Sequence, residues 1–199
     1  MYIGENFSVR IPQYFHFAKL IDDNSLSGIA HCSFDPFKTI NKMSLSADAE
    51  KILTVPNAGG NSVISEVVSC ELLKKCFQAR LIKTEMEVDY FPEGGSITDY
   101  MCEIFRHKVG VSVTRAMKYF GEYTEEDAEH LLMKKLKGVI QSSRNTLENW
   151  NKQILHVWAQ SNNIANTITK VYHTLPNEIR ANTVVLVTTT NANFIFDNR

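Results

Sequence analysis

Three acidic side chains stand inside apolar stretches, where an acid is expensive to keep. Asp99 lies in the run SITDYMCEI (96–104), which alternates like a strand. Asp is disfavoured there by propensity and costly to bury. Glu103 follows four residues later, and because strand side chains alternate with period two, both acids fall on one face. Glu66 lies in SVISEVVSCELLKKCF (62–77), an apolar run with helical recurrence of Val63, Val67, Cys70 and Leu73. Carboxylates in such places suit a divalent cation, since Mg²⁺ takes hard oxygen ligands and keeps several waters. The plainer alternative for each is an exposed or ion-paired acid at a sheet edge.

Other chemistry finds little support. The chain has no GxxxxGK[ST], no GxGxxG after a strand, no HExxH and no GxSxG. Gly59-Gly60 and Gly94-Gly95 read as isolated turns rather than phosphate cradles. His107 and His130 have no thiol in a nucleophile arrangement, and His156 in ILHVWA reads as a satisfied core imidazole. The four cysteines (Cys32, Cys70, Cys76 and Cys102) form no CxxC pair and read as reduced, mostly buried thiols.

The elements that must position these acids can be read in order. Pro56–Ser62 is a turn from which Asn61 or Ser62 can cap a first helix. Three strands follow: 79–90, 97–105 and 109–116. A two-residue turn over Arg106 and His107 would pair Glu103 with Gly110, Met101 with Ser112 and Asp99 with Thr114. Thr124-Glu125-Glu126-Asp127 is a capping box opening a second helix, whose apolar stripe runs through Ala128, Leu131, Leu132, Leu136, Val139 and Ile140. KQILHVWAQ reads as a buried strand, NNIANTITKVYHTL as a helix and NTVVLVTTTNANFIF as a β-rich end that could pair with a partner's sheet edge or a second copy of the chain. Residues 1–60 read as an arm packed on, or extending, one globular α/β unit over 61–199.

This order and these acids resemble the PD-(D/E)XK, or restriction-endonuclease-like, nuclease superfamily. The resemblance covers about Asn61 to Ala159. It implies an αβββαβ core with a mixed sheet flanked by helices, and Mg²⁺- or Mn²⁺-dependent hydrolysis of DNA or RNA. Glu66 matches the acid of the first helix, and Thr98-Asp99 matches the PD position with Thr replacing Pro. The acid-x-Lys triplet falls on Ser112-Val113-Thr114, which offers neither carboxylate nor ammonium. On this reading Glu66, Asp99 and Glu103 are the metal ligands, and Asp99, Glu103, Lys137 and Arg115 are the catalytic set. Arg115 should point to the opposite face of the strand, and Lys137 or Lys134 stands in for the missing lysine. Gln141 looks like the polar residue divergent members carry on this helix. The alternative is a catalytically inactive nuclease-fold protein that binds or scaffolds.

Composition fits a folded domain of this kind. The chain has 199 residues, 21 Lys+Arg against 22 Asp+Glu and 44% hydrophobic residues, proportions that exclude a disordered tail or a wholly basic coat protein. With a net charge of −1, any nucleic-acid footprint must be local. Its candidates are Lys74, Lys75 and Arg80, the tip Arg106-His107-Lys108, the run Lys134, Lys135 and Lys137, and Lys118. No signal peptide and no membrane-length apolar run is visible, so the expectation is an intracellular protein, cytoplasmic or nuclear, with a protein partner or a homo-oligomer left open.

Overall fold

The computed structural model describes residues 1–58 and 62–197; the Gly59-Gly60 turn and the Asn61 cap lie outside these. One eight-stranded sheet organises the chain. Its strands are β1 (Tyr2–Ile3), β2 (Phe7–Arg10), β3 (Gly28–Pro36), β4 (Arg80–Thr84), β5 (Tyr100–Ile104), β6 (His107–Ala116), β7 (Lys152–Ala159) and β8 (Thr183–Thr189). They lie in the order β1-β2-β3-β8-β7-β6-β5-β4. The four middle strands β3, β8, β7 and β6 run parallel, and both flanks are antiparallel. Parallel strands must be covered on both faces, and β7 is accordingly buried at every position.

Helices α1 (Tyr14–Asp22), α2 (Ala47–Thr54), α3 (Val63–Phe77) and α7 (Asn193–Asp197) cover one face. There Phe17, Ile52, Leu72, Phe77 and Ile195 join Val111, Trp158 and Leu186 in one core. Helices α4 (Glu125–Asn145) and α5 (Asn162–Thr174) cover the other, with Leu132, Leu136 and Ile168 against Leu155, Val157 and Val185. Short α6 (Asn177–Arg180) leads into β8. From α3 to β7 the order is αβββαβ, as expected from the sequence, in a mixed α/β fold.

Several boundaries move. β4 stops at Thr84, where a 3₁₀ turn begins. The Thr84 backbone N–H donates to the Glu87 carboxylate at 2.8 Å, closing the capping box. The β5–β6 turn sits on Phe105-Arg106, both at positive φ (50° and 72°), one residue earlier than expected. Glu103 therefore pairs with Lys108 and Met101 with Gly110. A shift of two in register leaves the face of every side chain unchanged. β8 is no edge strand: it runs between β3 and β7, which removes the basis for pairing that segment with a partner, and its tail folds into α7. Residues 1–58 supply three strands, two α-helices and a 3₁₀ turn at Ile40–Lys42, with β3 among the parallel strands.

Beneath α3 runs a buried polar chain. Ser69 Oγ lies 2.7 Å from both Tyr100 Oη and His156 Nδ1. His156 Nε2 lies 2.7 Å from Thr188 Oγ1, which is 3.0 Å from Cys32 Sγ. His156 is the satisfied core imidazole anticipated, and burial drives its pKa down to about 3. All four cysteines are free thiols, three of them buried.

Candidate functional site

β5 begins at Tyr100, opposite Val111, so from Ser112 to Ala116 β6 is paired on its β7 side and has no β5 partner on the other. Asp99 fills the place the ladder leaves. Its backbone N–H donates to Val111 O at 3.1 Å, and its Oδ2 accepts the Val113 N–H at 2.5 Å. The carboxylate thus takes over a sheet hydrogen bond and lies at a notch reachable from both faces. On the α4 side a cavity of about 220 Å³ is lined by Asp99, Ser112, Lys134, Lys135 and Gly138. On the α3 side another, of about 300 Å³, is lined by Asp99, Ser62, Ser65, Thr114, Arg115 and Lys135.

The approach to Asp99 is anchored at several points. The Thr98 N–H donates to Tyr90 Oη at 2.8 Å, and its hydroxyl donates to Ser142 Oγ on α4 at 3.1 Å. The Ser96 N–H donates to Gln141 Oε1 at 3.1 Å. Gly95 has φ +88°, and a Cβ there would stand 2.6 Å from Gln141 Nε2, so only glycine brings the loop this close to α4.

Glu66 is buried on α3 and accepts a hydrogen bond from Ser62 Oγ at 2.5 Å. Burial is the main reason its pKa is raised, and the Glu85 charge adds to that. Ser62, Lys135 and Arg115 pull the other way. Asp99 is pushed up to about 8, first by burial and then by the charge of Glu66, against the Val113 N–H and Lys135. The two carboxyls therefore disfavour each other's ionisation, and Lys135 faces both.

Not all the expected residues meet here. Glu103 sits four residues down β5, about 13 Å away at strand rise, and pairs with Arg80 at 3.4 Å. Lys137 is exposed on α4 and lines neither cavity. Arg115 does lie on the face opposite Asp99's strand neighbours, which is also the face of Glu66. Its Nη1 donates to the Phe196 carbonyl at 2.9 Å, fastening α7. Glu85 is a site member the sequence did not single out, and Lys135 was singled out only as part of the basic run on α4. Lys135 continues the buried stripe Ala128–Leu132–Val139, so a lysine within an apolar stripe was the available signal. Glu85 stands next to Thr84, which pairs with Tyr100, and so comes level with Asp99.

The basic candidates also sort themselves. Lys74 pairs with Asp48, Lys75 with Glu71, His107 with Asp22 and Lys118 with Asp127. Among the described residues no ion pair engages Lys134, Lys135 or Lys137, the run on the helix that covers the notch.

No family model matches the chain. It is 39% identical over 194 residues to the AAC-rich mRNA clone AAC4 protein of Dictyostelium discoideum. That match takes in 92% of this chain, which spans 28% of the relative's length. Among solved structures it is similar to Pyrococcus furiosus SfsA in complex with Ca²⁺, at 13% identity and a TM-score of 0.35, covering 79% of this chain and 78% of that one. A superposition so loose fixes neither family nor function. No helix of the described residues is long and apolar enough to cross a membrane.

A divalent cation fits this donor set in one respect: it would relieve two carboxyls that burial and mutual repulsion keep from ionising. Among the described residues no group of three or more His, Cys, Asp or Glu is placed to hold a metal. A cation here would rest on one or two carboxylates and water, as Mg²⁺ often does.

Proposed function

We propose that this domain binds nucleic acid at the Asp99 notch and hydrolyses phosphodiesters there with Mg²⁺ or Mn²⁺. Glu66 and Asp99 would hold the ion, and Lys135 would face the phosphate oxygens on which charge develops. Bound there, the ion would supply a water of lowered pKa as nucleophile. The observation carrying this reading is Asp99 and Lys135 lining a notch open on both faces, with buried Glu66 near enough for its charge to disfavour ionisation of Asp99. Perturbed carboxyls in a cleft are candidates for a functional site. The αβββαβ order and the unpaired lysines of α4 agree with it.

A second reading, nucleic-acid binding without cleavage, is favoured by Ser112 and Thr114 standing where an acid and a lysine would be expected and by the distance of Glu103. The deciding experiment is Mg²⁺ and Mn²⁺ titration by calorimetry on wild type and Asp99→Ala, followed by cleavage assays on single- and double-stranded DNA and RNA. Metal binding lost in Asp99→Ala, with cleavage reduced by about 100-fold in Lys135→Ala, is the expected result. Nucleic-acid binding with neither metal uptake nor cleavage selects the second reading. A folded wild type that takes up neither metal nor nucleic acid overturns both.

A further inference from the structure

A separate cavity, of about 380 Å³, opens three strand positions from the notch, beside the start of β3. Its lining is basic and holds no acid. His16 comes from α1, His31 from β3, His173 from the end of α5 and Arg180 from α6, with Tyr172 and Thr169 between them. His31 Nε2 lies 3.2 Å from Thr169 Oγ1, and burial and the neighbouring His173 lower its pKa. Four imidazole or guanidinium side chains from four elements thus line one small space without a carboxylate among them.

Two donors in this lining make no well-aligned hydrogen bond. Tyr172 is 1% exposed, and its hydroxyl has only Ser27 and Arg180 as loosely placed neighbours. The Nε of Arg180 is likewise buried and unpartnered. The Arg180 guanidinium sits 5.5 Å from the Tyr172 ring centre and also donates to Asn177 Oδ1. Buried donors left unmade are costly, so their presence beside a basic cavity asks for an acceptor from outside. A hard divalent metal does not fit: the lining has no carboxylate, and the Arg180 guanidinium only donates.

We propose that this cavity is an anion site for a small phosphate-bearing molecule, held by Arg180, the Tyr172 hydroxyl and the imidazoles of His16, His31 and His173. The donors outnumber what the two oxygens of a carboxylate accept, and three terminal phosphate oxygens match them better. The volume leaves room for a small organic group beyond the phosphate. The site is independent of the Asp99 notch, which lies level with it but three strands away across the sheet.

The test is titration of the whole chain with inorganic phosphate, and with acetate as the carboxylate probe, following the histidine imidazole NMR signals. Phosphate should shift His31 and His173 saturably, and more strongly than acetate. Arg180→Gln should weaken binding at least tenfold, and Tyr172→Phe, which removes only the orphan hydroxyl, should weaken it less. Asp99→Asn should bind phosphate as wild type does, which separates this site from the notch. No saturable shift in folded wild type, equal binding by Arg180→Gln, or a response lost in Asp99→Asn would overturn the assignment.

Discussion

Asp99, half-buried at the notch, and His156, fully buried, are both titratable, and desolvation moves their pKa values in opposite directions. Asp99 is raised to about 8 by burial and by Glu66. The folded chain then keeps a proton that the unfolded chain, with an ordinary pKa near 4, has released. Its stabilising contribution is present below that unfolded value and lost as pH rises toward 8. His156, lowered to about 3, behaves conversely. Its contribution is complete above the unfolded value of about 6.5 and lost as pH falls toward 3. The two cancel over mildly acidic pH, so thermal unfolding should show a plateau there and a decline on the alkaline side. Asp99→Asn keeps an acceptor for the Val113 N–H and removes the charge. It should flatten the alkaline decline and gain roughly 1–3 kcal/mol over wild type at pH 8; equal slopes in the two proteins would refute the assignment. Ser69→Ala strips partners from both Tyr100 and His156 and should cost about 1–3 kcal/mol in chemical denaturation.

At the scale of elements, the β5–β6 hairpin decides where Asp99 stands. Its turn places Phe105 and Arg106 at positive φ, a region that costs a side-chain-bearing residue about 1–2 kcal/mol. Arg106→Gly should therefore raise the denaturation midpoint by the equivalent of about 1 kcal/mol. Phe105→Gly should lower it, because the Phe105 ring packs edge-on to Tyr14 and Phe77. That aromatic hold also explains why the turn was misplaced by a residue in the sequence. Turn chemistry favours Arg106-His107 as polar neighbours, while the fold spends the αL conformation on Phe105 to seat a ring. Alternation and the capping box made β5, β6, α4, β7 and α5 legible, and the mid-strand acid made Asp99 legible. Lys135 was hidden in the run Lys134-Lys135-Leu136-Lys137, where every lysine looks solvated until the packing face of the helix is known. Glu103 shares a strand face with Asp99, but a shared face says nothing about distance along the strand.

At the scale of the whole molecule, β3 was the least readable strand, because its partner β8 is remote in sequence. β3 takes its register from β8, as in Ala30 opposite Leu186, and no local pattern announces such a pairing. Lys152 makes the same long-range join with its side chain. Buried at 1% exposure at the foot of β7, it donates to Asp23 O at 2.6 Å and to Leu26 O in the α1–β3 connection. Lys152→Ala would leave two carbonyls unpaired over a void. It should destabilise by roughly 2–4 kcal/mol, with hydrogen exchange rising first at residues 23–30.

The β3–β8 pairing also sets an order of events at the ribosome. Cys32 meets Thr188, 156 residues later in the chain. At translation rates of about 5–20 residues per second, β3 waits roughly 8–30 s with one edge bare before its neighbour is made. During that interval the nascent N-terminal third is a sticky, half-built sheet, and it is there that a holding chaperone has most to do for this protein.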